Sequence, residues 1–389
     1  MKLNDNDDPR SSYQPQDLHN NTHDGWRELN ACCWEDDSRS DVVKIILIHL
    51  LPKRQATRNN DENHHDEFMN EPNGTNAYEL IEKLIQKMRT VKRRAQPFSM
   101  NFELVHTFGR FGVYGTDSHL FHCPFDVKIS YSHSCILISD TRNSRIMVFD
   151  LHTKEFRTSI PSPSKYPLFL CVEENYDGKN NDALIFGCEN FGVYKYDLNE
   201  LLEKSPNMEA CNSIWISQIF VSPQGIVLLS SKSHAYICDW DEHNMKILNV
   251  KTGELVQSMK VQSPYGIDFS DDGDIIISET FPSHKIQIFR MNENRDNWQC
   301  IKSFGKYGQL NGEFDHPFAL VFDKVAKHII VSDNHRIQIF EKDGSFLKSF
   351  GEENSRMNQF SAVTGMCLNE LTGELVICDS LNHRVLIYK

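Results

Sequence analysis

Apolar residues in the second part of the chain come in runs of five or six, each closed by acids, amides or glycine. Residues 318–351 read FALVFD, HIIVSD, RIQIFE and FLKSFG, parted by turns that contain Gly, Asp and Asn. Runs of this length, rich in Ile, Val and Phe, predict short strands. The first hundred residues have a different pattern. Tracts such as NNDENHHDEFMNEPNGTN hold too little apolar surface to fold cooperatively, so residues 1–97 are expected to be mostly disordered. Two islands interrupt them. Asp41 to Leu51 (DVVKIILIHLL) is a short helix or strand, stopped by Pro52. Leu80, Ile81, Leu84, Ile85, Met88 and Val91 recur at helical spacing, with Asn76 as N-cap, Glu79 at N3 and Lys92, Arg93 and Arg94 at the far end. That spacing predicts an amphipathic helix over 77–94. Its apolar stripe either docks on the rest of the chain or meets a partner, and the KRRA tract also suits a nuclear-import signal.

From residue 103 the chain repeats itself. ILISDTRNSRIMVFD, IIVSDNHRIQIFEKDG and LVICDSLNHRVLIYK each give a strand, an acid, a polar turn, a basic residue and a second strand. YICDWDEHNMKILNV and IIISETFPSHKIQIFR are weaker copies. Taking the basic residue that opens the second strand as a marker gives Arg145, Lys246, Lys285, Arg336 and Arg384, at intervals of 101, 39, 51 and 48. The long interval hides one degenerate unit, placed at 183–198 (ALIFGCENFGVYKYDL), which makes six. Four short antiparallel strands per unit build a propeller blade. The last unit stops at Lys389 after its third strand, while LVHTFG at 104–109 matches the fourth-strand pattern of CIKSFG and FLKSFG. The expected fold is therefore an all-β, six-bladed β-propeller over 98–389, closed by an N-terminal strand that removes the open sheet edges.

Charge and cysteine narrow the setting. Residues 1–100 carry 14 Lys and Arg against 17 Asp and Glu, leaving 27 against 37 for the remainder. An acidic domain is a poor general polyanion binder, although one basic face is compatible with it. Eleven cysteines, an odd number without a Cys-x-x-Cys pair, sit mostly in apolar runs and read as reduced core thiols. The N-terminus lacks an apolar signal region, and Val42–Leu51 is too short to span a bilayer. A cytoplasmic or nuclear protein with no membrane contact is expected.

The order FG-x-x-G-x-x-x-G-x-F-x-x-P followed by S-D-x-x-N-H-R-I-Q-I-F resembles the NHL repeat. The best copy runs from Phe304 to Phe340, with the loop GKYGQLNGEFDHP; its SDNHRIQIF turn is two residues short, and CDSLNHRV in the last blade has full length. The resemblance covers about three quarters of the chain, strong in blades 1, 5 and 6, moderate in 4 and poor in 2 and 3. It implies a six-bladed propeller. NHL propellers in TRIM-type proteins accompany a RING finger, B-boxes and a coiled coil and act in ubiquitin transfer or single-stranded RNA binding. Here Cys32 and Cys33 are adjacent and cannot supply RING spacing. Related six-bladed lyases and hydrolases hold a metal in the central channel, and no matching ligand set stands out in this sequence.

Residue types that recur in each blade are expected to build it. Asp140 with Arg145, Asp333 with Arg336 and Asp379 with Arg384 read as structural pairs across the strand turns. The histidines are scattered, several at one turn position before the basic residue, so no metal, cofactor or catalytic residue is assigned. The loops from strand 4 to the next strand 1 and from strand 2 to strand 3 should share one face. Arg110–Phe111 and Lys306–Tyr307 recur there, with Arg142 and Trp240 in the other loop set, and cation plus aromatic suits a peptide or stacked bases. The irregular loops of blades 2 and 3, including 198–215, are further candidates. The reading is a non-catalytic scaffold that binds a protein or peptide, as in substrate recruitment for ubiquitin transfer. Its alternatives are a single-stranded RNA binder and, third, a metal-dependent channel enzyme.

Overall fold

The apolar runs form strands that sort into six antiparallel sheets of four strands each. A computed structural model describes residues 95–389, save 190–191, 208–209, 230–232, 295–296 and 352–359. The expectations for the first 94 residues, including both islands, lie outside the described residues. Gln96 and Pro97 are already held: the Gln96 N–H bonds the Glu370 carbonyl at 2.8 Å, and the Pro97 carbonyl lies against Gly373.

Blades 1 to 5 span 124–161, 167–217, 223–260, 264–304 and 317–350. Blade 6 takes its first three strands from 363–388 and its fourth from Leu104–Gly109. The first strand of every blade packs against the first strands of both neighbours, and the circuit closes from blade 6 to blade 1. The protein is a six-bladed β-propeller. The closing strand runs antiparallel to Arg384–Tyr388 with Leu104 opposite Tyr388 and Gly109 opposite Arg384, and Glu103 and Lys389 exchange main-chain bonds beyond it.

The second strand of a blade is covered on both faces, which is why Cys135–Asp140 and Ala183–Cys188 are buried at every position and read as continuous apolar runs. The core lies between blades. Ala319, Val321, Ile337 and Ile339 of blade 5 meet Val363, Met366, Ile377 and Leu386 of blade 6, and the entering chain adds Phe98 and Phe102. The Phe102 ring stacks on Phe350 at 4.0 Å.

Near the axis the blades approach backbone to backbone. A side chain at Gly225, Gly266 or Gly365 would place its Cβ 2.4 Å from the carbonyl oxygen of Tyr265, Phe318 or Phe125 in the next blade. Gly365→Ala is expected to cost about 1–3 kcal/mol through overpacking. Gly187→Ala, whose nearest neighbour would be 3.4 Å away, should stay within about 0.5 kcal/mol. Urea midpoints of the two variants check this; equal midpoints would remove the close approach as a constraint.

Antiparallel order puts the 4→1 loops and 2→3 turns on one end of the ring and the other connections on the opposite end. Blade 2 carries the helix α1 (Leu198–Lys204) between its third and fourth strands, N-capped by the Asp197 side chain through the Glu200 N–H and anchored by buried Leu198 and Leu201. The 198–215 connection therefore lies on the end opposite the 2→3 turns.

Candidate functional site

A carboxylate at the end of the second strand organises each regular turn. One oxygen accepts a main-chain N–H from the 4→1 loop of its own blade: His122 to Asp140 at 2.7 Å, Ser222 to Asp239 at 2.8 Å, Ser361 to Asp379 at 2.7 Å. The other takes the basic residue, with Arg145, Arg336 and Arg384 each donating Nε at 2.8 Å to Asp140, Asp333 and Asp379. The outer guanidinium nitrogens then hold the loop. Arg145 bonds the carbonyls of Thr116, Asp117 and Leu120, and Arg336 those of Gln309, Leu310 and Glu313. Burial pushes the carboxyls of Asp140, Asp333 and Asp379 up despite these donors.

Lys246 departs from the expected marker. Asn244 faces Asp239 in register, and Lys246 is the third residue of its strand, yet its Nζ reaches Asp239 at 2.7 Å. Side chains two apart share one strand face, so the longer side chain reaches the same carboxylate. Blade 4 uses Glu279 with Lys285 at 3.2 Å, and blade 2 has Cys188 opposite Gly192 instead.

The proposed contact residues lie on this loop face but at separate blade seams. Arg110 and Phe111 are exposed at seam 6/1, where the cation over the Phe111 ring is the Arg384 guanidinium at 4.7 Å rather than the adjacent Arg110. Lys306 and Tyr307 are exposed at seam 4/5, with Lys306 paired to Glu313 at 3.1 Å. Arg142 sits over the Tyr166 ring at 5.4 Å. Trp240 is half-buried and donates Nε1–H to Thr280 Oγ1 at 2.8 Å, so it ties blade 3 to blade 4.

Exposure of large apolar side chains adds residues that sequence reasoning missed. Among the described residues the loop face exposes eight: Phe111, Tyr114, Ile219, Val221, Phe281, Tyr307, Leu310 and Leu381. Among the described residues the loops of the opposite face expose Val325 alone. The remaining exposed ones stand on outer strands. The charge of the loop face is mixed on both sides: Arg110, Arg142 and Lys165 with Asp117 and Glu189 on the side of blades 6, 1 and 2, and Lys306 with Asp241, Glu242, Glu313 and Asp315 on that of blades 3 to 5.

His284, Asp315 and His316 bring three donor atoms within 4.8 Å of one another, a grouping the sequence did not suggest. Their nitrogens are engaged. His284 Nδ1 accepts the His316 N–H at 3.1 Å, which leaves the proton of the neutral ring on Nε2, and His316 Nδ1 is 2.7 Å from Asp315 Oδ1. A ligating histidine normally donates from its second nitrogen, as His316 can to Asp315; His284 accepts at Nδ1 instead, so it does not fit as a ligand in this arrangement. At the channel mouth, aromatic rings of the first strands come together. Rings from blades 1, 2, 4 and 5 meet across it, Phe125 on Phe169 at 5.3 Å, Phe169 on Tyr265 at 5.5 Å and Tyr265 on Phe318 at 5.0 Å. Below them the Lys128 ammonium is bonded to Asp126 at 2.8 Å.

No family model matches the chain. A stretch of 116 residues is 34% identical to "Protein brain tumor" of Drosophila melanogaster, covering 29% of this chain and 11% of that protein. Among solved structures, a functionally unknown protein from Desulfotomaculum acetoxidans DSM 771 aligns with a TM-score of 0.48 and 16% identity over 70% of this chain and 87% of its own. The computationally designed Ika8 protein aligns with a TM-score of 0.41 and 12% identity over 68% of this chain and 70% of its own. No helix among the described residues is long and apolar enough to cross a membrane.

Proposed function

We propose that the protein is an NHL-type interaction propeller whose loop face binds a protein or peptide partner without catalysing a reaction. The observation that carries this reading is the distribution of exposed apolar side chains among the described residues, eight on the loop face against Val325 on the opposite loops. Aromatic and aliphatic anchors set in a polar surround are the composition of a protein interface. The partial likeness to the brain tumor protein agrees with it. A finer form of the proposal is recruitment of a substrate for ubiquitin transfer by another subunit. The free cysteines suit a reducing setting, in cytoplasm or nucleus.

Single-stranded RNA binding is the second reading, favoured by the Arg142–Tyr166 contact beside Lys165. The acids on blades 3 to 5 weigh against a polyanion covering the whole face. Capture from nuclease-treated extract separates the two. The quadruple variant Phe111→Ala, Tyr114→Ala, Tyr307→Ala, Leu310→Ala is expected to lose its partners at least tenfold, with Val325→Ala as an unaffected control. Equal capture by the quadruple variant would defeat the loop-face reading. Loss of all capture on nuclease treatment, with sensitivity to Arg110→Ala and Arg142→Ala, would move the function to RNA.

A further inference from the structure

At three blade boundaries the last residue of the 2→3 turn is a histidine in the left-handed region: His243 (φ 52), His284 (φ 46) and His383 (φ 58). Each turns Nδ1 toward the main-chain N–H of the residue just before the next blade's first proline. His243 accepts from Ser263 at 3.3 Å, His284 from His316 at 3.1 Å and His383 from Cys123 at 3.2 Å. Those three residues are also left-handed, with φ of 41, 65 and 57. The seam thus joins two turns in a conformation that residues other than glycine seldom adopt. An imidazole accepts at Nδ1 only when uncharged, because the imidazolium carries a proton on both nitrogens. Protonation would set one N–H against another.

The surroundings of His284 and His383 favour the neutral ring. Around His383 lie the His122 ring at 5.6 Å, the Tyr114 ring at 5.5 Å and the Cys123 thiol at 3.9 Å, with Asp140 and Asp379 as the opposing acids. Around His284 lie the His316 ring at 4.8 Å, Tyr307 at 4.9 Å and Phe281 at 6.2 Å, with Asp315 as the acid. His243 meets Gln262 Nε2 and Ser263 Oγ at 3.3 Å, beside the Lys246–Glu242 pair of its own turn. Burial, and then the neighbouring imidazole, hold His284 and His383 below the ordinary histidine range, outweighing the acids.

We propose that the loop face is released by mild acid, through protonation of His284 and His383 and opening of seams 4/5 and 6/1. The loops freed are those that carry Phe111, Tyr114, Tyr307 and Leu310. The sign follows from the neutral form being the bonded one. A base held below its unfolded value contributes stability that is complete above about pH 6.5 and is lost as pH falls toward the lower folded values. The release of a partner rests on the binding reading above; the titration of the seams does not.

The replacement that isolates the effect is asparagine. Its side-chain oxygen sits where Nδ1 does, it tolerates the left-handed region, and it does not titrate. Between pH 7.5 and 5.5 the melting temperature of the full chain should fall by roughly 5 °C more in the wild type than in His284→Asn/His383→Asn. Partners captured at pH 7.5 should elute at pH 5.5 from the wild type and stay on the double variant. Melting curves with parallel pH dependence would overturn the proposal. No capture at pH 7.5, with the melting difference intact, would instead remove the binding reading and leave the seams standing. Should the double variant not fold, imidazole NMR of the wild type decides: the His284 and His383 rings must titrate below the ordinary histidine range, and titration within that range would overturn the proposal.

Discussion

Arg384→Ala is expected to destabilise the propeller by about 3–5 kcal/mol, because it leaves the Asp379 carboxylate buried without its counter-charge. Asp379 is fully buried, and its oxygens accept from the Ser361 N–H, Asn382 Nδ2 and Arg384 Nε. The Arg384 side chain is 9% exposed, against 15% for Arg145 and 17% for Arg336, so among the three arginine pairs screening by water is least in blade 6. Arg384 is also the residue opposite Gly109 in the closing pair and the cation over Phe111. Its loss therefore loosens the ring closure and the 4→1 loop together. The difference between variant and wild type should shrink toward low pH. Burial already raises the Asp379 carboxyl, and without the guanidinium it takes up a proton more readily, which removes the unpaired charge. Urea unfolding at pH 8 and pH 5 measures both. A loss under about 1 kcal/mol, or one that does not change with pH, would mean that the pair contributes little beyond its hydrogen bonds.

The blades were legible because the second and third strands of each are covered on both faces. Burial on two sides writes an unbroken apolar run, and the acid and base at the turn mark its ends. Blade 2 keeps the runs but has Cys188 and Gly192 where the others carry the pair, so only the 101-residue interval betrayed it. Lys246 misled by two positions because a strand repeats its faces every second residue, and a lysine is long enough to hide the offset. The loop face was legible as a place but not as a composition. Tyr114, Leu310 and Leu381 sit in segments with no periodicity, where exposure is decided by how the loop folds over Arg145, Arg336 and Arg384 rather than by the local pattern. The seam histidines could be seen to recur before the basic residue. What their Nδ1 atoms face lies in the next blade, 20 residues on for His243, 32 for His284 and 260 back for His383, and only the ring closure supplies that neighbour.

A chain that starts at Arg110 is expected to give no soluble monomer, whereas one that starts at Ala95 should fold. The entering segment carries two different contributions. Its strand satisfies the outer edge of Arg384–Tyr388, the third strand of blade 6, through the register from Leu104–Tyr388 to Gly109–Arg384. Its aromatic side chains fill two inter-blade cores: Phe98 and Phe102 between blades 5 and 6, and Phe108 against Phe149 of blade 1 at 4.5 Å. Losing one such ring costs about 3–5 kcal/mol, so Phe102→Ala alone should approach the total stability of an ordinary domain. Removing the whole segment also bares an edge of apolar residues, Val385, Leu386 and Ile387, whose unpaired main chain would recruit another copy. Size-exclusion profiles and thermal melts of the two chains check this, with a synthetic peptide of residues 95–109 added to the shorter one. Recovery of monomer by the peptide would locate the defect in closure itself. A monomeric shorter chain melting within about 5 °C of the longer one would show that the other five blades hold the ring without its closing strand.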